Sequence, residues 1–344
     1  MHAVVFHGPG DKRWEQAPDP KIIDDTDAIV RVDSVTICGT DLHILKGDVP
    51  EVTPGRILGH EAVGTVVETG PGTRSVRPGD RVLLSCISSC GHCRYCRVGQ
   101  YSQCQGGGSW IFGHLIDGVQ AEYARVPFAD NSTYQVPAEL SDEQVLYLAD
   151  ILPTGYEVGV LNGHVQPGDT VVVVGAGPIG LAATLGAKLY SPGAIIAVDP
   201  AEARRTWAAK FGASVLATPQ VARETVAGLT GGLGADVAIE AVGLPETFEL
   251  CAELVRPGGR VANVGVHGRP ATLHLESLWI RNLTITTGLV DTFTIPTLLK
   301  AIVAGQLDPT RFTTHRFPLA EAMQAYDTFA RAAETNALKV LMTS

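Results

Sequence analysis

The sequence predicts an α/β protein of two domains, one small and β-rich, the other a doubly wound parallel sheet. Three observations carry this. Residues 170–199 read as a β-branched run (TVVVV), a glycine turn (GAGPIG), an Ala/Leu-rich run and a second apolar run (AIIAVD). That is a strand, a tight turn, a helix and a second strand, the unit from which parallel sheets are built. Downstream, strand-like runs go on alternating with helix-forming ones. Upstream, from the N-terminus to about residue 140, short β-branched runs are divided by Gly, Pro and Asp turns, with no competing helical period. A chain of 344 residues is also longer than one core usually serves.

Each residue type in the 170–199 unit has a physical task. Gly175 permits a sharp turn out of the strand, Gly177 leaves room for a pyrophosphate to approach the backbone, and Gly180 lets helix and strand pack closely. Pro178 and Ile179 open the helix, whose free N–H groups and positive dipole end suit phosphates. Asp199, 19 residues after Gly180, is placed to accept hydrogen bonds from a ribose diol and to repel a 2′-phosphate. The expected cofactor is therefore NAD rather than NADP. Residues 170–187 carry no charge and are long enough for a short membrane span, but their four glycines and one proline favour a buried strand followed by a buried helix.

Composition excludes several classes. Hydrophobic residues make up 45% and charged residues 18%, which fits a compact enzyme. A formal net charge of −10 argues against nucleic acid or an anionic membrane as partner. The opening MHAVVFHGPGDKRW lacks a secretory signal, so a cytoplasmic location is expected. Clusters among the seven cysteines should then be metal sites rather than disulfides.

Two such clusters are visible. Cys38 and, 22 residues on, His60-Glu61 offer a thiolate, an imidazole and a carboxylate that begin an open zinc site. Taken alone, a buried thiol and a hydrogen-bonded histidine account for them as well. Cys90, Cys93, Cys96 and Cys104 form C-x2-C-x2-C-x7-C, a spacing that suits a closed tetrahedral zinc site of structural type. An iron–sulfur cluster also takes four thiolates. The polar, Gly-bearing loop, with nothing else pointing to electron transfer, favours zinc.

The segment from Cys38 to Asp41 (CGTD), Gly59-His60-Glu61, the four-cysteine lobe and GAGPIG occur in an order and at distances that resemble the zinc-containing medium-chain alcohol dehydrogenases. The resemblance runs from the first strand to the closing Lys339-Val340-Leu341. It implies a GroES-like catalytic domain, residues 1–152 and 290–344, interrupted by a Rossmann coenzyme domain, residues 153–289, with the cleft at the seam. It implies two zinc ions per chain. The third ligand of the catalytic zinc, beside Cys38 and His60, falls on Asp150, as in the bacterial secondary-alcohol enzymes. The chain combines that ligand with the four-cysteine lobe and an NAD-type Asp199.

Further roles follow from the same likeness. Trp110 and Cys86 match positions that line the substrate pocket. Thr154, Val266 and Leu289 are expected around the nicotinamide, Val242 and Val264 among the cofactor-binding residues, Arg204 beside the adenosine ribose, and Lys339 on the pyrophosphate. The implied reaction is reversible hydride transfer between a primary or secondary alcohol and NAD, with an aldehyde or ketone as product. Thr40, two residues from Cys38, is expected to bring its hydroxyl beside the reacting oxygen, and His43 to complete a proton relay to solvent. Glu61 is expected to assist ligand exchange at the catalytic zinc. Relatives suggest a homo-oligomer, a tetramer rather than a dimer. Polyol, threonine and formaldehyde dehydrogenases share the same parts and remain alternatives. So does a non-catalytic NAD-binding redox sensor, although such a protein would be expected to lose ligands or relay residues that are present here.

Overall fold

The computed structural model describes residues 1–344. They form two compact units, one of Met1–Asp150 with Asp291–Ser344, the other of Ile151–Val290.

The chain opens with β1 (His2–Gly8) and β2 (Asp11–Gln16), an antiparallel hairpin. The sequence pattern does not predict β2, because DKRWEQ is mostly charged. Pairing with the apolar β1, which sets Trp14 opposite Val4, overrides its weak propensity. Then come β3 (Ala28–Thr36), β4 (Ala62–Thr69), β5 (Arg81–Leu84), β6 (Tyr123–Val126) and β7 (Thr133–Gln135). Between β3 and β4 lies a helix, Gly39–Lys46, where no helical period is expected. It is eight residues long, and the side chains it buries are Ile44 and Asp41, so one face holds a carboxylate where a periodic pattern would need an apolar residue.

The second unit supplies β8 (Thr170–Val174), β9 (Ala194–Val198), β10 (Val215–Ala217), β11 (Ala235–Glu240), β12 (Val255–Asn263) and β13 (Thr284–Thr287). Every pairing is parallel, in the order β10-β9-β8-β11-β12-β13. The chain thus starts at the middle, winds one way, then returns and winds the other. That reversal puts a crevice at the carboxyl ends of β8 and β11. Val171 to Val174 are at most 2% exposed, and eight residues of helix Pro178–Ala187 are buried, which explains the uncharged run. No helix is long and apolar enough to cross a membrane.

Two strands end earlier than the apolar runs suggest. Residues 235–243 (ADVAIEAVG) and 260–266 (RVANVGV) read as strands, but β11 stops at Glu240 and β12 spans Val255–Asn263. The reason is hydrogen bonding. The Glu240 side chain takes the amides of Val242 and Gly243, and its carbonyl takes those of Val264 and Gly265. The Val264 bond is the last rung of the β11–β12 ladder; the Val242 and Gly243 amides, committed to the carboxylate, and the Gly265 amide, drawn to the same carbonyl, cannot extend it. Residues 283–289 also read as a strand, but β13 is four residues long, because it is an edge strand whose only partner ends at Asn263.

The chain then returns to the first unit through helix Ile295–Val303, β14 (Thr313–Pro318), helix Ala322–Ala330 and β15 (Lys339–Thr343). Residues 319–333 read as one last helix, but it is interrupted, because Arg331 leaves helical geometry at φ −97°, ψ 36°. The sheet of this unit runs β14-β15-β3-β4-β5-β7, with β6 on β3. β15 pairs antiparallel with β3, so the end of the chain is laid beside Thr36, two residues before Cys38. Beneath the sheet pack Val4, Phe6, Val30, Val35, Leu58, Phe112, Tyr326 and Met342, all at most 3% exposed. Each such side chain contributes about 1.5–3 kcal/mol on burial, and this core holds the loops of the site in place.

Candidate active site and metal centres

Cys38 is the residue immediately before helix Gly39–Lys46, in extended conformation. Its backbone N–H donates to Asp41 Oδ2 at 2.9 Å, which fixes the direction of the thiol. His60 and Glu61 lie just before β4, and Asp150 follows the turn Leu146–Leu148. The fold brings these distant segments together. Asp150 Oδ2 is 3.5 Å from Cys38 Sγ and 3.3 Å from His60 Nε2. One donor atom from each of Cys38, His60, Glu61 and Asp150 lies within 4.8 Å of the others.

Such a cluster is costly without a cation. His60 and Glu61 are buried, at 4% and 0% exposure, and Glu61 Oε2 has no hydrogen-bond partner. Burial, reinforced by the Asp150 carboxylate, pushes the Cys38 thiol up. Burial opposes charge on His60, yet the hydrogen bonds to Asp150 and Cys38 hold the ring well above its ordinary range. These groups thus retain protons that a divalent cation would displace, as metal ligation requires. A soft thiolate, an imidazole and a carboxylate suit zinc, and three firm ligands leave a position for substrate.

Of two further residues here, one escapes a reading of the sequence and the other has a different partner from the one expected. Asp41 accepts from the Cys38 amide and, at 3.1 Å, from Gln120 Nε2, while Tyr326 donates to Gln120 Oε1 at 2.7 Å. The signal available for Asp41 was its place three residues after a helix-capping position. The other is Lys339, for which the structure corrects the expected role. Its ammonium is 1% exposed and donates to Glu61 Oε1 at 2.7 Å and to the Ile37 carbonyl at 2.8 Å. It is turned inward to the carboxylate beside His60 and has no exposed face for a pyrophosphate. Burial opposes its charge, but Glu61 keeps its pKa above the usual lysine value.

The neighbouring expected residues are placed as follows. Thr40 Oγ1 is 3.7 Å from Cys38 Sγ. His43 is exposed and its Nδ1 lies 2.8 Å from Asp48 Oδ2. Trp110 meets His60 edge to face, with ring centroids 6.4 Å apart, and stacks on His114 at 4.2 Å. Cys86 is 3% exposed, and its N–H donates to Ala149, the residue before Asp150.

The four-cysteine lobe is a second donor set, with all four sulfurs within 4.8 Å of one another. Cys93 Sγ and Cys96 Sγ are 3.5 Å apart, and Cys90 Sγ and Cys96 Sγ 3.9 Å. No disulfide joins any of the seven cysteines. Backbone amides of Cys90, Gln105 and Gly106 donate to these sulfurs. Such bonds, first from the Cys96 amide and then from Gln105, bring the Cys93 thiol down to about 6. Burial, with the bond from Cys93, pushes Cys96 up to about 12. Against its burial, hydrogen bonds from the amides of Cys90, Gly106 and Gly108 lower the Cys104 thiol too, so Cys96 is the thiol that most needs a cation to ionise. Four thiolates so grouped would suit a closed tetrahedral metal site, with no place for substrate.

In the second unit the glycine turn leaves β8 with Gly175 at φ +98°, a conformation that side chains resist. A Cβ on Gly180 would stand 1.8 Å from the Gly175 carbonyl, so helix and turn can meet only there. Above Gly177 nothing lies within 4 Å, which leaves open space at the N-terminus of the helix opened by Pro178 and Ile179. That space, free helical N–H groups and dipole fit a pyrophosphate. Asp199 follows β9. Its Oδ2 accepts from Ala176 N–H at 2.9 Å and its Oδ1 from Ala201 N–H at 2.8 Å. The carboxylate is thereby locked to the turn, each oxygen keeping a lone pair for a diol. Arg204 is half-buried nearby, its pKa lowered by burial and raised in part by Asp199. Thr154 opens the π-helical stretch Thr154–Leu161, while Val242, Val266 and Leu289 are exposed and Val264 is buried at 9%.

Fold and donor sets together define a metal-binding oxidoreductase of the nicotinamide class. Comparison with known proteins gives the family. Residues 24–138 match the family described as alcohol dehydrogenase GroES-like domain, and residues 178–303 the family described as zinc-binding dehydrogenase. An alcohol dehydrogenase of Cupriavidus necator is 37% identical over 96% of this chain and 95% of its own. The solved structure of zinc-dependent alcohol dehydrogenase 2 from Streptococcus pneumoniae is 48% identical, covers 100% of this chain and 98% of its own, and superposes with a TM-score of 0.96. Alcohol dehydrogenase TADH from Thermus sp. ATN1 is 38% identical, with coverage of 100% and 99% and a TM-score of 0.93. The chain belongs to the zinc-type, medium-chain alcohol dehydrogenases, and it is an oxidoreductase with a GroES-like domain and a Rossmann-type parallel sheet.

Proposed function

We propose that this enzyme interconverts small primary or secondary alcohols with their aldehydes or ketones, using NAD, with one catalytic and one structural zinc per chain. The observation that carries the reading is the convergence of Cys38, His60 and Asp150, 3.3–3.5 Å apart at Asp150 Oδ2, around a charge balance that calls for a cation. When bound, zinc supplies Lewis acidity toward an alcohol and the nicotinamide accepts hydride. The chain's residues do the rest. Cys38, His60 and Asp150 hold the catalytic ion, and Cys90, Cys93, Cys96 and Cys104 the structural one. The Thr40 hydroxyl receives the alcohol proton, and exposed His43, oriented by Asp48, passes it to solvent. Glu61, tethered by Lys339, stands ready to assist exchange at the catalytic ion. Trp110 and Cys86 shape the apolar side of the substrate position.

Preference for NAD rests on Asp199, whose fixed carboxylate suits a ribose diol and opposes a 2′-phosphate. Gly175, Gly177 and Gly180 take the pyrophosphate, Arg204 flanks the adenosine ribose, and Thr154, Val242, Val264, Val266 and Leu289 surround the nicotinamide. Residues 1–152 and 290–344 serve as the catalytic domain and 153–289 as the coenzyme domain. The proposal includes a cytoplasmic homo-oligomer, favoured as a tetramer. Supporting association are edge strand β13 and, just before it, Trp279 and Ile280, 71% and 67% exposed.

One experiment tests the reading: NAD- and NADP-dependent turnover of short primary alcohols, secondary alcohols and polyols by protein of measured zinc content. Turnover of alcohols with NAD at about two zinc ions per chain is expected. Activity confined to polyols or to NADP, or full activity without zinc, would overturn it.

A further inference from the structure

Among the buried charged residues that the mechanism above does not use is Glu240. Glu240 ends β11 at the carboxyl edge of the parallel sheet, and its side chain is 0% exposed. Its Oε1 accepts from Val242 N–H at 2.9 Å, Gly243 N–H at 2.9 Å and Thr247 Oγ1–H at 2.7 Å. Gly243 also donates to Oε2 at 3.2 Å. The backbone carbonyl of the same residue accepts from Val264 N–H at 2.8 Å and Gly265 N–H at 3.1 Å. One residue therefore gathers the two loops that leave β11 and β12.

Those loops have no slack. A Cβ on Gly243 would stand 2.2 Å from the Val266 carbonyl, and one on Gly265 would stand 2.2 Å from Gly243 N and 2.4 Å from Glu240 Oε2. The same assembly reaches the phosphate turn. Ala241 N–H donates to the Val174 carbonyl at 2.9 Å, and a Cβ on Gly175 would meet Val242 Cγ2 at 2.5 Å. His267 Nε2 lies 3.6 Å from Oε2 and 2.9 Å from Asn263 Oδ1, and Asn263 Nδ2 donates to the Gly265 carbonyl at 2.9 Å. A carboxylate buried on neutral donors is costly for a sheet whose own ladder does not need it. The cost is understandable where backbone position beyond the ladder has to be held.

We propose that Glu240 is a positioning residue for the cofactor: it clamps the loops bearing Val242, Val264 and Val266 against the Gly175 turn, and so presets the edge on which the nicotinamide half of NAD is bound. This rests on the reading that NAD occupies that edge. The side chain does not touch the reacting atoms. It acts by removing loop freedom that binding would otherwise have to remove.

The test compares wild-type holoenzyme with Glu240→Gln, which keeps the shape but replaces one acceptor oxygen with an amide. NADH affinity is read by fluorescence titration, and loop order by hydrogen exchange of peptides covering 241–247 and 264–267. We expect NADH binding about tenfold weaker, KM for NAD raised about tenfold and kcat within about threefold of wild type. Exchange should speed up in the two loops and stay unchanged across β8. Thr247→Val, which removes one donor and leaves the carboxylate, should give a smaller loss of the same pattern, and it decides the matter if the glutamine variant does not fold. NADH affinity within twofold of wild type in a folded variant would overturn the clamp, as would faster exchange spread evenly through the whole sheet. A wild-type enzyme that binds no nicotinamide dinucleotide would instead overturn the functional reading, and the clamp with it.

Discussion

The ion pair of Lys339 and Glu61 offers a prediction whose size follows from its geometry. Both side chains are 1% exposed, the N–O distance is 2.7 Å, and the ammonium has one further acceptor, the Ile37 carbonyl. Lys339→Met preserves length and apolar packing and removes the charge. Glu61 is then left buried beside Asp150, with no nearby lysine. Breaking a buried pair from one side costs about 3–5 kcal/mol, because the surviving charge is desolvated and unpaired. For a unit of about 200 residues, that corresponds to a melting temperature lower by about 6–20 °C. Glu61→Gln should cost less, since its amide oxygen still accepts from the ammonium. The double variant removes the stranded carboxylate, so its loss should fall short of the sum of the two single losses by about 2 kcal/mol or more. Differential scanning calorimetry of the four proteins at equal zinc content measures this. Additive losses, or a Lys339→Met protein as stable as wild type, would refute the reasoning that the pair exists to neutralise Glu61.

Three further outcomes follow. Cys38→Ser, His60→Ala and Asp150→Ala should each lower zinc from about two to about one per chain and reduce kcat about a thousandfold or more, with NADH affinity unchanged; retained turnover in metal-verified protein would refute the ligand set. Asp199→Gly removes the acceptor of the Ala176 and Ala201 amides as well as the diol partner, so kcat/KM with NAD should fall about 10–100-fold while that with NADP rises, and an unchanged ratio would count against the carboxylate. The cysteine lobe should release zinc on acidification. The Cys93 thiol is held down at about 6, so its thiolate dominates at neutral pH, and whatever it contributes to holding the metal is lost as pH falls through that value. Dye-detected zinc release that begins below pH ~6, and is removed by Cys93→Ser only through prior loss of the ion, is expected; a lobe that keeps its zinc well below pH ~4 would contradict it.

What was legible in the sequence, and what was not, divides along a physical line. The cysteine lobe and the glycine turn could be read because each lies within a stretch of 15 residues or fewer, where spacing alone fixes geometry. Cys38, His60 and Asp150 needed the family resemblance, since only the fold brings residue 150 back to residue 38. The helix Gly39–Lys46 was hidden because the side chain that anchors it is Asp41, whose use is to hold the Cys38 amide and not to fill a core. The resemblance puts Lys339 on a phosphate, and nothing in the sequence points to a partner 278 residues away; only the pairing of β15 with β3 brings it to Glu61. Glu240 shows the same limit inside a single domain. In the sequence it is one polar residue in an apolar run, and a strand reading carries on through it to Gly243. In the fold it is where the ladder stops: its carboxylate takes the Val242 and Gly243 amides that would have continued β11, and its carbonyl, after the last rung to Val264, also draws in the Gly265 amide. A charge that ends a buried strand early has given up sheet hydrogen bonds to place a loop, and such exchanges are to be expected where a loop meets a ligand.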